Sequence, residues 1–365
     1  MSAAVAAEPR RIAVFRALAL GDLLCATPAL RALRQQFPDA EIVLIGLPWS
    51  EALAARLDSI DRVSPFPGWP GIRETPVDAA RLADLMAEAH AEPFDLAIQM
   101  HGSGEISNGF VAALGARRSL GFRVGDDGRL SDSLPWHESE HETLRWLRLV
   151  GLLGATAPGS APEFPLRAAD HAEAAALLGA LPPGDGPVVA LHPGAADPAR
   201  RWPPDRFARL GDELAARFGA RLILTGSAGE RPLTAALRGA MRAPTLDLAG
   251  RTSLGDFAAT LARVDLLVTN DTGASHLAAA TRTPSVVLFG PTRPDRWAPL
   301  HRRLHRVVDA QSLRPGDPPA LALQSLPVEL VFAACAEMLA AQQDAGSVLY
   351  DPNLFDIGQE TPWTA

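Results

Sequence analysis

Residues 268–294 read VTNDTGASHLAAATRTPSVVLFGPTRP, and this stretch decides the fold. An apolar run ends at residues 270–273, where Asp and Gly favour a tight turn. Residues 276–280 favour a helix, and the β-branched run 285–289 predicts a second strand that stops at a loop over 290–292. Open α/β sheets bind anionic ligands at such strand-to-helix turns, because backbone N–H groups and the helix dipole face the ligand there. The stretch therefore predicts a strand–helix–strand unit with an anion-binding turn.

The same alternation of strand and helix opens the chain. Residues 11–16 predict a strand, Gly21 and Asp22 a turn, residues 23–37 a helix, and residues 41–46 the next strand. A strand, a glycine turn, a helix and a second strand form a βαβ unit, which belongs to a parallel sheet. The first half of the chain therefore also predicts an α/β fold.

A second α/β series begins at residue 188, after a stretch rich in Pro and Gly over residues 154–187. Such composition is typical of a domain boundary. We predict a disordered lead, an N-terminal Rossmann-like domain, a linker region, a C-terminal Rossmann-like domain and a tail, over residues 1–10, 11–165, 166–187, 188–342 and 343–365, respectively.

Composition narrows the class of protein. The formal net charge of -8 argues against a general nucleic-acid binder, which carries a basic surface. The chain has no lysine, so any cationic contact to phosphate must come from Arg or His. Cys25 and Cys335 lie far apart, which indicates neither a disulfide framework nor a zinc site and fits a reducing compartment. We expect no signal peptide, because the N-terminus has no charged segment ahead of an apolar one. We also expect no membrane span, because no run approaches about 18 apolar residues, and a cytoplasmic location.

The first half carries two candidate site residues besides Gly21. Asp22 is either a helix cap or a carboxylate aimed into the crevice at the carboxyl edge of the sheet, where it would act as a general base. The missing G-x-G-x-x-G argues against a dinucleotide site. His101 follows a predicted strand over residues 95–100. This histidine is either structural or, if the two sheets face each other, close to the same crevice as Asp22.

A basic pair follows the first strand of the second half. His192, Pro193 and Gly194 end that strand, and Arg200 and Arg201 come within a few residues. Two guanidinium groups beside a helix start suit a diphosphate, whose charge is spread over several oxygens. The alternative is a solvated arginine pair.

Two further turns in the second half carry polar residues. Glu230 follows a strand end, where it either accepts from ribose hydroxyls or favours the helix N-terminus. His276 lies within one turn of Asp271, Thr272 and Gly273, so we interpret it as part of a binding site. The sequence has no His-x3-His, cysteine pair or Asp-x-Asp of the kind that holds a divalent ion, and we predict no metal and no cofactor.

These motifs resemble those of one known family. Residues 21–30 resemble the G-D-x-x-x-x-x-P-A-L opening of glycosyltransferase family 9, the ADP-heptose:lipopolysaccharide heptosyltransferases. Residues 192–207 are similar to its P-G…K-x-W-P block, and residues 271–292 to its D-T-G-x-x-H-x-A-A…G-P-T signature. The resemblance covers residues 11–340 and is most specific in the last of these blocks.

The resemblance implies a GT-B fold, in which two Rossmann-like domains face each other across a cleft. The N-terminal domain would bind the acceptor, and the C-terminal domain would hold the nucleotide-sugar donor. It also implies an inverting transfer without an essential metal. The donor would be ADP-linked and the acceptor a glycan or lipid-linked saccharide, with peripheral contact to the inner membrane surface. No nucleic-acid partner is expected.

The positions that match the family's motifs imply the roles of individual residues. Asp22 would be the base that deprotonates the acceptor hydroxyl, with Gly21 and His101 on the acceptor side. Residues 99–103, QMHGS, depart from the D-x-Q/H-G of the family on that side. Arg200 falls where the family has a phosphate-binding lysine. The donor-binding residues would be His192, Gly194, Arg200, Arg201, Glu230, Thr252, Asp271, Thr272, Gly273 and His276.

Two other classes of protein stay open. A nucleotide-sugar epimerase of GT-B fold would turn over its substrate without an acceptor. A catalytically inactive nucleotide-sugar-binding module would bind the nucleotide and transfer nothing. The presence of Asp22 together with Arg200 and Arg201 argues against the inactive module.

Overall fold

The chain divides into two compact units, Met1–Ser160 (unit 1) and Ala161–Ala365 (unit 2). The structure is a computed structural model that describes residues 8–344. The predicted lead over residues 1–10 and the predicted tail over 343–365 lie largely outside the described residues.

Strands and helices alternate along both units. Unit 1 contains β1 Arg11–Phe15, α1 Leu20–Gln36, β2 Glu41–Gly46, α2 Glu51–Ala54, β3 Arg62–Pro65, α3 Ala79–Ala91, β4 Leu96–Gln99, α4 Ser107–Ala113, β5 Arg118–Arg123, β6 Asp132–Pro135 and α5 Glu142–Gly151. Unit 2 contains α6 Ala168–Leu178, β7 Val188–His192, α7 Pro204–Phe218, β8 Arg221–Leu224, α8 Arg231–Ala240, β9 Thr245–Asp247, α9 Leu254–Leu261, β10 Leu266–Asn270, α10 Gly273–Thr281, β11 Ser285–Phe289, α11 Pro294–Trp297, β12 His305–Asp309, α12 Ala310–Leu313, α13 Pro319–Ser325 and α14 Val328–Asp344.

Each unit is built on a six-stranded parallel sheet. The strand order is β3-β2-β1-β4-β5-β6 in unit 1 and β9-β8-β7-β10-β11-β12 in unit 2. In unit 1, the strands after β1 are added first on one side of it and then, from β4 onward, on the other side. The same switch in direction occurs between β7 and β10 in unit 2. Doubly wound folds bind ligands in the crevice at the carboxyl ends of such strands. The two sheets confirm the predicted α/β class with two Rossmann-like halves.

The central strands β1, β4, β7 and β10 are buried, apart from the partly exposed first residue of β1, because helices cover both faces of each sheet. In unit 2, Trp202 and Phe207 pack edge to face, with ring centroids 4.9 Å apart. They belong to a buried cluster that also contains Leu214 of α7 and Val331 of α14. This packing fixes the loop between β7 and α7 against the body of unit 2.

Helix α1 continues through Pro28, which has no N–H to donate to the carbonyl of Leu24. The hydroxyl of Thr27 donates to that carbonyl at 2.8 Å, so the carbonyl stays satisfied in a buried helix. The helix begins at Leu20, earlier than the predicted start at residue 23, because the predicted glycine turn is already helical.

The boundary between the units falls after Ser160, inside the Pro- and Gly-rich stretch 154–187. Helix α6 lies within the predicted linker region and packs against α9 of unit 2. Arg263 Nη2, after α9, donates to the carbonyl of His171 in α6 at 3.3 Å.

Candidate active site

Asp22 lies in the first turn of α1, beyond the carboxyl end of β1. The N-cap of this helix is Ala19, so Asp22 does not cap it. The Asp22 side chain is 22% exposed, whereas the adjacent Gly21 is buried. A partly exposed carboxylate at this edge of a sheet meets the access requirement of a general base.

Arg16, the residue after β1, is a fully buried cation that sequence reasoning missed. Its Nε donates to the carbonyl of Asp22 at 2.8 Å, and its Nη1 donates to the carbonyl of Met100. Its Nη2 lies 3.7 Å from Asp22 Oδ1 and 3.5 Å from Glu142 Oε1. The ring of Trp146 lies against the guanidinium, 4.6 Å from Cζ to the centroid. A guanidinium shielded from water needs such paired and hydrogen-bonded surroundings.

Glu142 is buried at the start of α5 and contacts two guanidinium groups. Its Oε2 accepts from Arg145 Nη1 at 2.7 Å, while its Oε1 faces Arg16. Arg145 is itself buried against the ring of Trp136. Asp22, Arg16, Glu142 and Arg145 therefore form a row of alternating charges, which we call the charge chain.

His101 follows β4, the strand next to β1. The backbone N–H of Ala17 donates to His101 Nδ1 at 3.3 Å, so the neutral ring carries its proton on Nε2. The ring stacks on Phe15, with centroids 4.8 Å apart. Burial, together with the charge of Arg16, lowers the pKa of His101 to about 3. His101 is therefore neutral at physiological pH.

The structure brings Asp22 and His101 to the same carboxyl edge of unit 1. Arg16 connects them, because it donates to the backbone of Asp22 after β1 and to the backbone of Met100 after β4. The carbonyl of His101 accepts from Gln99 Nε2 at 2.6 Å, which fixes the turn after β4.

In unit 2, Asn270 ties two loops together. Thr269 pairs with His192 in register, so the ends of β10 and β7 lie side by side. Asn270 Nδ2 donates to the carbonyl of Pro193 at 2.9 Å, and its Oδ1 accepts from the backbone N–H of Trp202 at 3.0 Å. The sequence placed Asn270 in a turn, but no pattern indicated this buried bridge.

The two predicted arginines have different contacts, and neither is simply solvated. Arg200 Nη1 lies 3.6 Å from Asp271 Oδ2. The Arg200 side chain is 27% exposed and that of Asp271 is 5% exposed. Arg201 Nε donates to the carbonyl of Ala195 at 2.8 Å and so holds its own loop. Arg200 therefore lies against the turn between β10 and α10, with its side chain partly exposed.

The turn after β10 is capped and opens helix α10. Thr272 is the N-cap, and its Oγ1 accepts from the N–H of Ala274 at 3.2 Å. Ser275 Oγ donates to the carbonyl of Thr272 at 2.7 Å. Gly273 is the first residue of the helix, and His276 lies buried one turn into it. N–H groups at the start of a helix and the positive end of the helix dipole favour an anion at this turn.

Glu230 approaches the turn after β7 closely. Ser227 donates to Glu230 Oε2 from its N–H at 2.7 Å and from its Oγ at 2.9 Å. A Cβ atom at Gly194 would lie 1.9 Å from Glu230 Oε1. Burial raises the pKa of Glu230, but the bonds from Ser227 outweigh burial and hold this pKa below its ordinary value. His192 is bonded to Thr225 Oγ1 at 3.0 Å, and burial lowers its pKa.

The loop after β11, predicted as a second phosphate-type loop, lines a pocket. Trp297 at the end of α11 lies edge-on to His276, with centroids 6.2 Å apart, which links this segment to α10. The pocket has a volume of about 440 Å³ and is lined by Gly290, Pro291, Thr292, Arg293, Pro294, Asp295, Asp309, Gln311 and Pro319.

Thr252 lies half-buried in the loop between β9 and α9, on the same edge of the unit 2 sheet. Among residues 8–344, no group of three or more His, Cys, Asp or Glu side chains is placed to hold a metal ion. No helix in the described part of the chain is long and apolar enough to cross a bilayer.

Two Rossmann-like units with polar turns at the carboxyl ends of their central strands define a GT-B fold. The model of glycosyltransferase family 9 (heptosyltransferase) matches residues 83–315, so the chain belongs to this family. The predicted family and the predicted enzyme class, a glycosyltransferase, are both confirmed.

Relatives and solved structures agree with this assignment. The chain is 26% identical over 322 residues to lipooligosaccharide heptosyltransferase 2 of Haemophilus influenzae, over 82% of this chain and 89% of the relative. A family 9 glycosyl transferase of Veillonella parvula has a TM-score of 0.76 at 20% identity, covering 91% of this chain and 98% of the other. The ADP-heptose LPS heptosyltransferase II of E. coli has a TM-score of 0.72 at 22% identity, with 91% and 99% covered.

Proposed function

We propose that this protein is an inverting, metal-independent glycosyltransferase that moves a heptose from ADP-heptose to a lipopolysaccharide-core acceptor. Membership of family 9 supports the reaction, and the names of a curated relative and of a solved relative support the heptose, ADP and lipopolysaccharide. The observation in this chain that carries the proposal is the Arg200–Asp271 contact at the opening of α10. It places a guanidinium and a helix N-terminus together.

The donor would bind to residues 188–342. Its diphosphate would lie against Arg200 and the first turn of α10, which stabilise the departing ADP electrostatically. Arg200 takes the position of the family's lysine in a chain that has no lysine. Glu230 would accept from the nucleoside, and His276 would contact the sugar or the diphosphate.

The acceptor would bind to residues 11–165. The acceptor hydroxyl oxygen attacks the anomeric carbon as the bond from that carbon to the diphosphate breaks, and ADP leaves with the electron pair. Asp22 takes the hydroxyl proton. Attack from the face opposite to the leaving group inverts the anomeric centre. Neutral His101 would lie beside the acceptor.

The test uses the purified full chain with ADP-heptose and a truncated core acceptor, followed by mass spectrometry. We expect Asp22→Asn to abolish transfer while calorimetric ADP affinity is kept, and EDTA to leave turnover unchanged. Arg200→Ala should weaken ADP binding and slow transfer by ~10²–10³. Arg209→Ala is the matched control, because Arg209 is an exposed arginine of α7 paired with Glu329.

Three outcomes would contradict the proposal. Unchanged ADP affinity in Arg200→Ala would show that Arg200 does not contact the diphosphate. Turnover of the nucleotide-sugar without any acceptor would indicate an epimerase. Nucleotide binding with no transfer to any core acceptor would indicate an inactive binding module.

We also propose that the enzyme works in the cytoplasm at the inner face of the membrane, because a core acceptor is linked to lipid. Flotation with vesicles that contain the lipid-linked acceptor should carry the protein to the vesicle fraction. Recovery of all the protein in the soluble fraction, with and without acceptor, would contradict peripheral contact.

A further inference from the structure

We propose that Arg16 is the positioning residue of Asp22, and that Glu142 is the counter-charge that sets how strongly Arg16 acts on it. This inference rests on the proposed function, in which Asp22 is the base. It assigns a role to two buried residues outside every motif that identified the family.

Arg16 is a fixed donor. Two of its nitrogens are held by backbone carbonyls, those of Asp22 and Met100, and its guanidinium lies against Trp146. A guanidinium keeps its charge at every pH that proteins tolerate. The remaining nitrogen, Nη2, therefore presents a permanent positive charge to Asp22 Oδ1 from a direction set by the fold.

The distance between Nη2 and Asp22 Oδ1 is informative. At 3.7 Å the contact is an ion pair rather than a short hydrogen bond. A bidentate guanidinium–carboxylate pair would tie up the carboxylate oxygens. The longer contact orients the Asp22 carboxylate electrostatically, without the two short bonds of a bidentate pair.

Glu142 explains why the contact stays long. Its Oε1 lies 3.5 Å from the same Nη2 atom, so two carboxylates share one nitrogen of Arg16. Arg145 holds the other oxygen of Glu142 at 2.7 Å and keeps this carboxylate in place. Loss of the Glu142 charge would leave Arg16 paired with Asp22 alone and draw the two together.

The alternative is that Arg16 only fastens β1, α1 and β4 to one another. A purely structural residue would change stability and the fraction of active protein, but not the turnover of the folded molecules. The experiment therefore needs a readout that follows Asp22 itself.

We would measure kcat and donor KM for the full chain with Arg16→Lys, Arg16→Ala, Glu142→Gln and Asp22→Asn. Arg16→Lys keeps the charge but loses the planar fork, so kcat should fall by ~10² from misplacement of the base, with donor KM unchanged. Glu142→Gln keeps the shape and should also lower kcat without changing donor KM. Arg148→Lys is the matched control, because Arg148 lies on α5 and pairs with Glu140.

Two further measurements separate positioning from structure. Any residual turnover of Asp22→Asn should not fall further when Arg16→Lys is added, if Arg16 acts through Asp22. Guanidinium ion at a non-denaturing concentration should partly restore kcat of Arg16→Ala, but not of Arg16→Ala combined with Asp22→Asn. Near-ultraviolet circular dichroism checks the fold of each variant. If the Arg16 variants do not fold, the kcat of Glu142→Gln tests the proposal in their place.

The outcomes distinguish the two proposals. An inactive Asp22→Asn together with wild-type kcat in folded Arg16→Lys and Glu142→Gln would overturn the positioning role alone. A further fall of the residual turnover of Asp22→Asn on addition of Arg16→Lys, as large as the fall in wild type, would do the same. Wild-type turnover in Asp22→Asn would instead overturn Asp22 as the base, and with it the proposed mechanism.

Discussion

A Cβ atom at Gly194 would lie 1.9 Å from Oε1 of Glu230, so the missing side chain is what lets this carboxylate reach the turn after β7. Gly194→Ala would force the flexible end of Glu230 aside rather than break the fold. If Glu230 accepts from the nucleoside, ADP affinity should fall about 10- to 100-fold, which corresponds to the loss of one hydrogen bond to a charged group. Calorimetry with ADP measures this.

Gly239→Ala is the control for that substitution, because Gly239 lies in α8 with no atom within 4 Å of its Cβ position. This change should leave ADP affinity alone and add about 0.5–1 kcal/mol to the free energy of unfolding. Equal ADP affinity in Gly194→Ala and Gly239→Ala would show that the position of Glu230 does not matter to the nucleotide.

Asn270 is buried, and its removal should destabilise unit 2. Asn270→Ala leaves the N–H of Trp202 and the carbonyl of Pro193 without their partner, at a cost of about 2–4 kcal/mol in unfolding free energy. Asn270→Asp keeps the acceptor for Trp202 but points a carboxylate oxygen at a carbonyl, and should be no better than alanine. Denaturant unfolding measures both, and wild-type stability in Asn270→Asp would argue against the Nδ2 bond.

Acid should destabilise the protein through its buried histidines. Burial lowers the pKa of His305 to about 3, and nearby His301, Arg302 and His276 act in the same direction. A histidine in the unfolded chain binds a proton below about pH 6.5. Between about pH 6.5 and pH 3 the unfolded state therefore holds more protons than the folded state, and the unfolding free energy decreases as the pH is lowered. Each such histidine contributes about 1.4 kcal/mol per pH unit in that range.

His305→Asn should therefore reduce the slope of unfolding free energy against pH, measured by denaturant unfolding between about pH 7 and pH 5. The slope is the readout, because the substitution also disturbs the bond to Ser285 and shifts stability at every pH. His171→Asn, at an exposed position of α6, should leave the slope unchanged. Equal slopes in His305→Asn and wild type would mean that the pKa of His305 is the same in the folded and the unfolded protein.

Both cysteines should be unreactive in the folded protein. Cys25 and Cys335 are buried, and burial raises the pKa of each thiol far above its usual range, which suppresses the reactive thiolate. Ellman's reagent should therefore modify neither thiol in native protein and both in denaturant. Rapid modification of one thiol under native conditions would show that its surroundings open.

The local sequence pattern is enough to predict the α/β fold of this protein. The run from β10 through α10 to β11 combines an apolar strand, a turn of Asp and Gly, and a helix-forming alanine run, and each signal is carried by neighbouring residues. Local pattern predicts the start of α1 too late, because glycine favours a turn, whereas Gly21 lies in the first turn of the helix.

The charge chain could not be predicted in the same way. Arg16 is separated from Glu142 by 126 residues, and a charged residue at the end of a strand is usually exposed. The role of Asn270 was missed for a related reason, because its partners lie on the neighbouring β7 loop, 77 residues away at Pro193. A single sequence shows which residues favour turns but not which turns share a side chain.

In each unit the first strand to be synthesised lies in the middle of the finished sheet, since β1 pairs with β2 and β4, and β7 with β8 and β10. The nascent chain therefore cannot complete the edge that holds Asp22 until β4 has left the ribosome, nor place the Glu142 carboxylate beside Arg16 until α5 has followed. All of these partners precede Ser160, and N-terminal domains generally fold as units during synthesis. The carboxylate that we propose as base thus acquires its surroundings before any strand of unit 2 has been made.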